Sequence, residues 1–202
     1  MGEGEAKVHS NVLKLNAEGK VYFGAGDLGV PPSVWTRMLN INGSDIEINR
    51  AGLSSNAGLS IIGSKVIRVE GPANIQAFTS GALELAIEAP EVYINNNVSI
   101  RSNAEYLFGI TGKIKITGSQ ELLIKDSNIN LSNDQLYNER PKILLNGGNI
   151  TIDDSNISQM AYYNYINRFG EVYSENPSNL SGKKTTEINA NESFKLINDS
   201  SL

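Results

Sequence analysis

Residues 143–157 read ILLNGGNITIDDSNI: an apolar pair, a small turn, a second apolar pair and a polar corner. Ile143-x-Leu145 and Ile150-x-Ile152 each alternate with period two, the mark of a short strand with one buried face. Residues 114–129, IKITGSQELLIKDSNI, repeat that grammar, with Asp126-Ser127-Asn128-Ile129 in the order of Asp154-Ser155-Asn156-Ile157. The adjacent Asp153 and Asp154 invite a chemical reading, because paired carboxylates do acid–base work and hold metals. Whether they form a site or a turn depends on how far the repeat runs.

It runs the length of the chain. Leu13-x-Leu15 is followed by Val21-x-Phe23, Leu39-x-Ile41 by Ile46-x-Ile48, and Leu59-x-Ile61 by Ile67-x-Val69. Leu85-x-Ile87 leads to Val92-x-Ile94, Ile114-x-Ile116 to Leu122-x-Ile124, and Ile188 to Phe194-x-Leu196. A third element follows six of the seven second pairs, starting at Gly52-Leu53, Asn74-Ile75, Asn97-Val98, Asn128-Ile129, Asn156-Ile157 and Ser201-Leu202. Three short strands per unit, recurring at about 20–30 residues, are what a parallel solenoid requires. The expected fold is all-β, a single-stranded right-handed parallel β-helix of about seven coils with loop insertions on one corner. At about 4.8 Å per rung it makes a rod on the order of 30–35 Å long. A sandwich would need more hairpin signals, and Asn-Gly occurs only at 42–43 and 146–147. Residues 1–202 read as one domain, expected to be a segment of a longer protein, with 159–184 as an inserted Tyr-rich loop. Within that loop MAYYNYINRF, 160–169, is expected to hold one short helix.

Composition narrows the function. The chain has 202 residues, 40% of them hydrophobic, and a formal net charge of −5; its pI is about 5.0. An acidic balance argues against nucleic acid as a partner. With no cysteine and a single histidine, His9, thiol chemistry, Cys-type metal sites and Ser–His nucleophiles are not expected. GAGDLGV at 24–30 lacks both the lysine and the helix of a phosphate loop. The first residues, MGEGEAKVHSN, carry no apolar stretch of a signal peptide, and Ala6 stands where myristoylation wants Ser or Thr. No run approaches the roughly 18 apolar residues of a membrane span, so any membrane link is expected through a segment outside this chain.

The repeat reassigns the paired aspartates. Asp153 and Asp154 share turn columns with Lys125 and Asp126, Asn95 and Asn96, and Glu70 and Gly71, so both are expected outside the core. No metal or cofactor is expected; the nearest approach to a metal site is Asp126 with Asp154, one rung apart. Asn74, Asn97, Asn128 and Asn156 are expected to form an asparagine ladder, stacked amides satisfying turn backbone. Glycosylation is the competing reading, since sequons begin at Asn42, Asn97, Asn130, Asn149, Asn156, Asn179, Asn191 and Asn198. Asn179, Asn42 and Asn149 are the expected acceptors. The longest connections, 102–112, 132–142 and 159–184, all follow the third strand and should leave from one corner. The last carries Tyr162, Tyr163, Tyr165, Arg168, Phe169 and Tyr173, residue types suited to partner binding.

Two families enter by resemblance. VLKLNAEGKVYFGAGDLGV at 12–30 and LELAIEAPEVYINNN at 83–97 resemble the extracellular domains of sarcoglycans in their turns and strand spacing. That resemblance covers roughly residues 13–100 and implies a membrane-anchored subunit packing laterally against others at a cell surface, without catalysis. The cysteine cluster of that family has no counterpart here. ITGSQELLIKDSNINLS at 116–132 and LLNGGNITIDDSNIS at 144–158 resemble filamentous-haemagglutinin-type adhesins, which implies a secreted surface rod. The expectation is a non-enzymatic extracellular or cell-surface scaffold whose partners are other protein subunits or cell-surface ligands. The alternatives are a bacterial adhesin β-helix and a carbohydrate-acting β-helix enzyme.

Overall fold

Inward-pointing Ile, Leu and Val at every second residue suit a pleated surface buried on one side. The computed structural model of the protein describes residues 7–24, 32–79, 84–104, 113–133, 142–161, 163–166, 172–175 and 185–202. Its strands are β1 (Lys7–Asn16), β2 (Lys20–Gly24), β3 (Ser33–Asn49), β4 (Gly52–Glu70), β5 (Ala73–Thr79), β6 (Leu85–Asn95) and β7 (Val98–Ala104). There follow β8 (Lys113–Lys125), β9 (Asn128–Asn133), β10 (Lys142–Asp153), β11 (Asn156–Ala161), β12 (Tyr163–Ile166), β13 (Val172–Glu175) and β14 (Thr185–Ile197). Twelve strands form one sheet. Nine of them lie on a continuous all-parallel path that curves through 277° into a nearly closed barrel, with no helix among the described residues.

The pairing register resolves the sheet into three columns. The first stacks 7–10, 33–36, 52–55, 74–77, 99–102, 128–131 and 156–159. In the second, Leu15, Ile41, Ile61, Ile87, Ile116, Leu145 and Ile188 share one register position. In the third, Val21, Ile46, Ile67, Val92, Leu122, Ile150 and Phe194 do the same. The chain visits the columns in a fixed order, and each visit lies one rung beyond the last. At the Leu15 position parallel neighbours are thus 20–29 residues apart as far as Leu145, and 43 apart from Leu145 to Ile188.

All apolar pairs read from the sequence fall on these inward positions. From Leu39 to Ile152 they form one buried core of aliphatic side chains. Each such side chain contributes about 1.5–3 kcal/mol by leaving water, and the curvature lets one sheet bury its concave face against itself. The end rungs are less covered: Leu13, Leu15, Val21 and Phe23 are half-buried, while Phe194 and Leu196 are each 43% exposed.

Corners between the third and first columns use a left-handed residue. Arg50, Asn96, Asn97, Asp126, Asp154 and Asn198 all have φ between 44° and 64°. Asn and Asp adopt this region more readily than other L-residues. At Gly71 the reason is close approach, because an added Cβ would lie 1.8 Å from the Asn96 carbonyl oxygen.

Two expectations need correction. The described residues of 160–169 are strand, not helix: Tyr163–Ile166 pairs antiparallel with Val172–Glu175, consistent with the β-preference of tyrosine. The expected asparagine column of Asn74, Asn97, Asn128 and Asn156 is broken at Asn97. Asn74, Ser99, Asn128 and Asn156 share a register position, so Asn97 belongs to the corner before it. Asn74, Asn128 and Asn156 are exposed, because each precedes an inward isoleucine.

Candidate functional site

The buried corner ladder is built of serine. Ser127 and Ser155 are 2% and 3% exposed. The Val98 amide donates to Ser127 Oγ at 3.4 Å, the Ser127 amide to Ser155 Oγ at 3.1 Å, and the Ser155 amide to Ser200 Oγ at 3.3 Å. Each hydroxyl in turn donates to a carbonyl of its own coil: Ser127 to Lys125 at 2.7 Å, and Ser155 to Asp153 at 2.8 Å. Ser200 Oγ lies 2.6 Å from the Ile197 carbonyl. Small side chains at a tight corner thereby satisfy amides that have no strand partner.

The adjacent aspartates divide their roles. Asp153, expected outside the core, is only 9% exposed. Its Oδ2 lies 3.3 Å from Lys125 Nζ, and its Oδ1 accepts a hydrogen bond from Asn198. Neighbours on both adjoining rungs cover it, which parity within one strand does not reveal. Asp154 is exposed at the left-handed corner position, and Asp126 occupies the same position one rung below. The Asp126 amide bonds the Asp153 carbonyl at 3.0 Å. Among the described residues no three His, Cys, Asp or Glu side chains are grouped to hold a metal.

The outer surface carries cross-rung polar pairs. Lys113 meets Glu84 at 3.1 Å, Lys115 meets Glu88 at 2.9 Å, and Lys142 pairs with Glu187. Hydrogen bonds from Lys142 and then Asn189 lower the Glu187 pKa below the usual glutamate range. That pairing favours the folded state above the ordinary glutamate pKa and is lost as pH falls through the depressed value.

A denser group lies on the third column. Tyr93 Oη sits 3.1 Å from Glu91 Oε2 and 3.1 Å from Glu121 Oε2; Glu91 and Glu121 are register partners. The guanidinium of Arg68 lies 5.7 Å from the centroid of the Tyr93 ring, a cation–π arrangement. Burial, followed by the two carboxylates as acceptors and as charges, pushes the Tyr93 pKa up to about 12. One hydroxyl proton serves one carboxylate at a time, and losing it would leave three negative oxygens together. At neutral pH this phenol is a donor, unsuited to act as base or nucleophile. The group was missed in the sequence because its members come from different coils, although aligning Glu91 with Glu121 by column gives a signal.

Spectrophotometric titration checks this assignment. Tyr93 should ionise near pH 12, later than an ordinary tyrosine at 10.0, and Tyr93→Phe should delete that late phase. The sign follows from linkage: the stabilisation is whole below pH 10.0 and fades as pH rises toward 12.

The remaining predicted residues are placed as follows. Tyr163 and Tyr165 lie in β12 and Tyr173 in β13, with Tyr165 opposite Tyr173. Tyr162, Arg168, Phe169 and Asn179 lie outside the described residues. Asn42 is half-buried and donates from Nδ2 to Asn16 Oδ1 at 2.7 Å. Asn149 donates from Nδ2 to Glu192 at 2.8 Å and accepts from Ser193 at 2.7 Å. Both amide nitrogens are thus engaged in bonds between rungs. The connections 105–112, 134–141 and the stretch between β11 and β14 all join the first column to the second. Comparison with family models, curated proteins and solved structures gives no match.

Proposed function

We propose that the protein is a non-enzymatic extracellular scaffold, a single-stranded right-handed parallel β-helix of about seven coils that presents contacts from one corner. The handedness follows the rule for crossovers between parallel strands of one sheet. The carrying observation is that all the long connections after β7 join the same two columns. Stacked rungs hold the strands from which those connections start at fixed separations, which is how solenoids arrange recognition surfaces. Tyr162, Tyr163, Tyr165, Arg168, Phe169 and Tyr173 are the proposed contact residues, with other subunits or cell-surface ligands as partners. The sarcoglycan resemblance fits lateral association beside a membrane. The adhesin resemblance fits the Asp-Ser-Asn-Ile corners at 126–129 and 154–157, whose serines sustain the ladder.

Beads coated with the protein, and with a form in which a short Gly/Ser link replaces 162–184, test this reading on cell monolayers. The full chain should be retained and the shortened form released, with the two giving the same far-UV circular dichroism. Equal retention of the two, or polysaccharide cleavage abolished by Asp154→Asn, would overturn it.

A further inference from the structure

We propose that the outer face of the first column, over the four rungs 33–36, 52–55, 74–77 and 99–102, binds a polysaccharide that carries uronic-acid sugars. The inference rests on the register and exposure of those rungs and does not depend on the contacts proposed for residues 162–173. Val34, Leu53, Ile75 and Ile100 are buried, as are Thr36, Ser55, Ala77 and Ser102, so the residues between them stand outward. Trp35, Ser54, Gln76 and Arg101 share one register position and form a row across the four rungs. Its ends lie three rung spacings apart, about 14 Å.

The row has the chemistry of a sugar site. Trp35, the only tryptophan of the chain, is 48% exposed, a large amphipathic ring on the surface of a strand. The C–H face of a pyranose packs flat on such a ring, while its hydroxyls both give and take hydrogen bonds. Ser54, Gln76 and, in the neighbouring row, Asn74 supply donors and acceptors together at rung spacing. Arg101 is exposed, and its Nε donates to Ser99 Oγ at 3.0 Å, which ties the guanidinium to the sheet. A guanidinium pairs with a carboxylate through two parallel hydrogen bonds. Gly52 lies one rung on from Trp35 and diagonal to it. An added Cβ there would meet only the Ser33 Cβ, at an ordinary 3.8 Å, so packing does not require glycine. Its effect is to leave the surface open beside the ring.

Charge points to an acidic sugar. The chain carries 22 acidic residues, yet no Asp or Glu occurs in the four rungs. The cations on and bordering the face are Arg101, Arg37 and Arg50, all exposed. Among the described residues the cross-rung ion pairs lie on the other two columns. At the corner before β5 the Glu70 carboxylate accepts from Asn95 and Asn96 at 3.3 and 2.7 Å. An anionic ligand therefore meets no like charge within the face. So few arginines match a polymer with at most one carboxylate per sugar, whereas a densely sulfated chain would call for more.

Because Trp35 is the only tryptophan, the tryptophan fluorescence of the full chain reports on this face alone. Polygalacturonate, alginate and hyaluronate all carry uronate sugars, and at least one of them should shift that emission in a saturable way. Neutral dextran should not. Arg101→Gln should weaken the binding by about tenfold, and Gly52→Gln, which raises a side chain over the face, by at least as much. Lys195→Gln, on the third column, should bind as the wild type does. Circular dichroism establishes that each variant is folded. No change in emission with any of the three polymers would overturn the proposal. So would binding that Arg101→Gln and Gly52→Gln leave intact, or a response to dextran sulfate alone.

Discussion

Ile87→Ala should lower the unfolding free energy by about 2–5 kcal/mol, the range for truncating a buried aliphatic side chain whose surroundings relax only partly. Ile87 is fully buried and stacks between Ile61 and Ile116. The curved sheet closes around it, leaving neighbouring rungs little room to collapse into the cavity. Ile188→Ala, at the same register position on β14, should cost less than about 1.5 kcal/mol, because half-buried Ile188 has a rung on one side only. Equilibrium denaturation of both variants measures the contrast. Equal effects would mean that the middle and the end of the stack are packed alike. A stack of this kind couples each rung mainly to its neighbours, so two probes at opposite ends should accompany the measurement.

Ser155→Ala should cost about 1–3 kcal/mol, more than its small change in volume suggests. The variant removes the acceptor of the Ser127 amide and a donor to the Asp153 carbonyl, both in a buried corner. Ser127 and Ser155 are both buried, so the amide is left without a partner. Asn156→Ala, one residue along, should cost less than about 1 kcal/mol, since Asn156 is exposed and accepts only an exposed bond from Ser201. The pair of variants separates a serine ladder from an asparagine ladder, because the latter would reverse the order. Thermal melts of the two single variants are sufficient to rank them.

The contrast shows what the sequence makes legible. Period-two alternation places Leu39, Ile41, Ile46, Ile48 and their counterparts on the inner face without reference to any neighbour, since their parity is local. The same parity puts Ser127 inward and Asn128 outward, both being fixed by Ile129, so the serine ladder was readable from one coil. The slip at Asn97 has a different cause. Asn97-Val98-Ser99-Ile100 can be laid against Asn128-Ile129 in two ways that differ by two residues, and both keep the apolar side chains inside. Alternation cannot tell them apart. The choice is made at the corner, where Asn96 and Asn97 both take left-handed conformations and Asp126 alone does so one rung on.

Contacts between coils were beyond such reasoning. The enclosure of Asp153 by Lys125 and Asn198, and the convergence of Glu91 and Glu121 on Tyr93, depend on which residues meet one rung apart. Once the columns are aligned these groups become readable. Tyr163–Ile166 was misjudged for another reason. Four residues are too few to show a period, although the link to their antiparallel partner Val172–Glu175, NRFGE with Gly170, carries a hairpin signal.

Because the chain has no cysteine of its own, a cross-link can test the stacking most directly. Ser60 and Ala86 are register partners on the outer side of adjacent rungs. Parallel neighbours at about 4.8 Å fall within the Cα separation that a disulfide spans. In Ser60→Cys/Ala86→Cys, mild oxidation should form an intramolecular disulfide rapidly and nearly completely, with circular dichroism unchanged. Failure to form that bond in a folded variant, while cysteines paired at a different spacing do close, would contradict the rung-by-rung register.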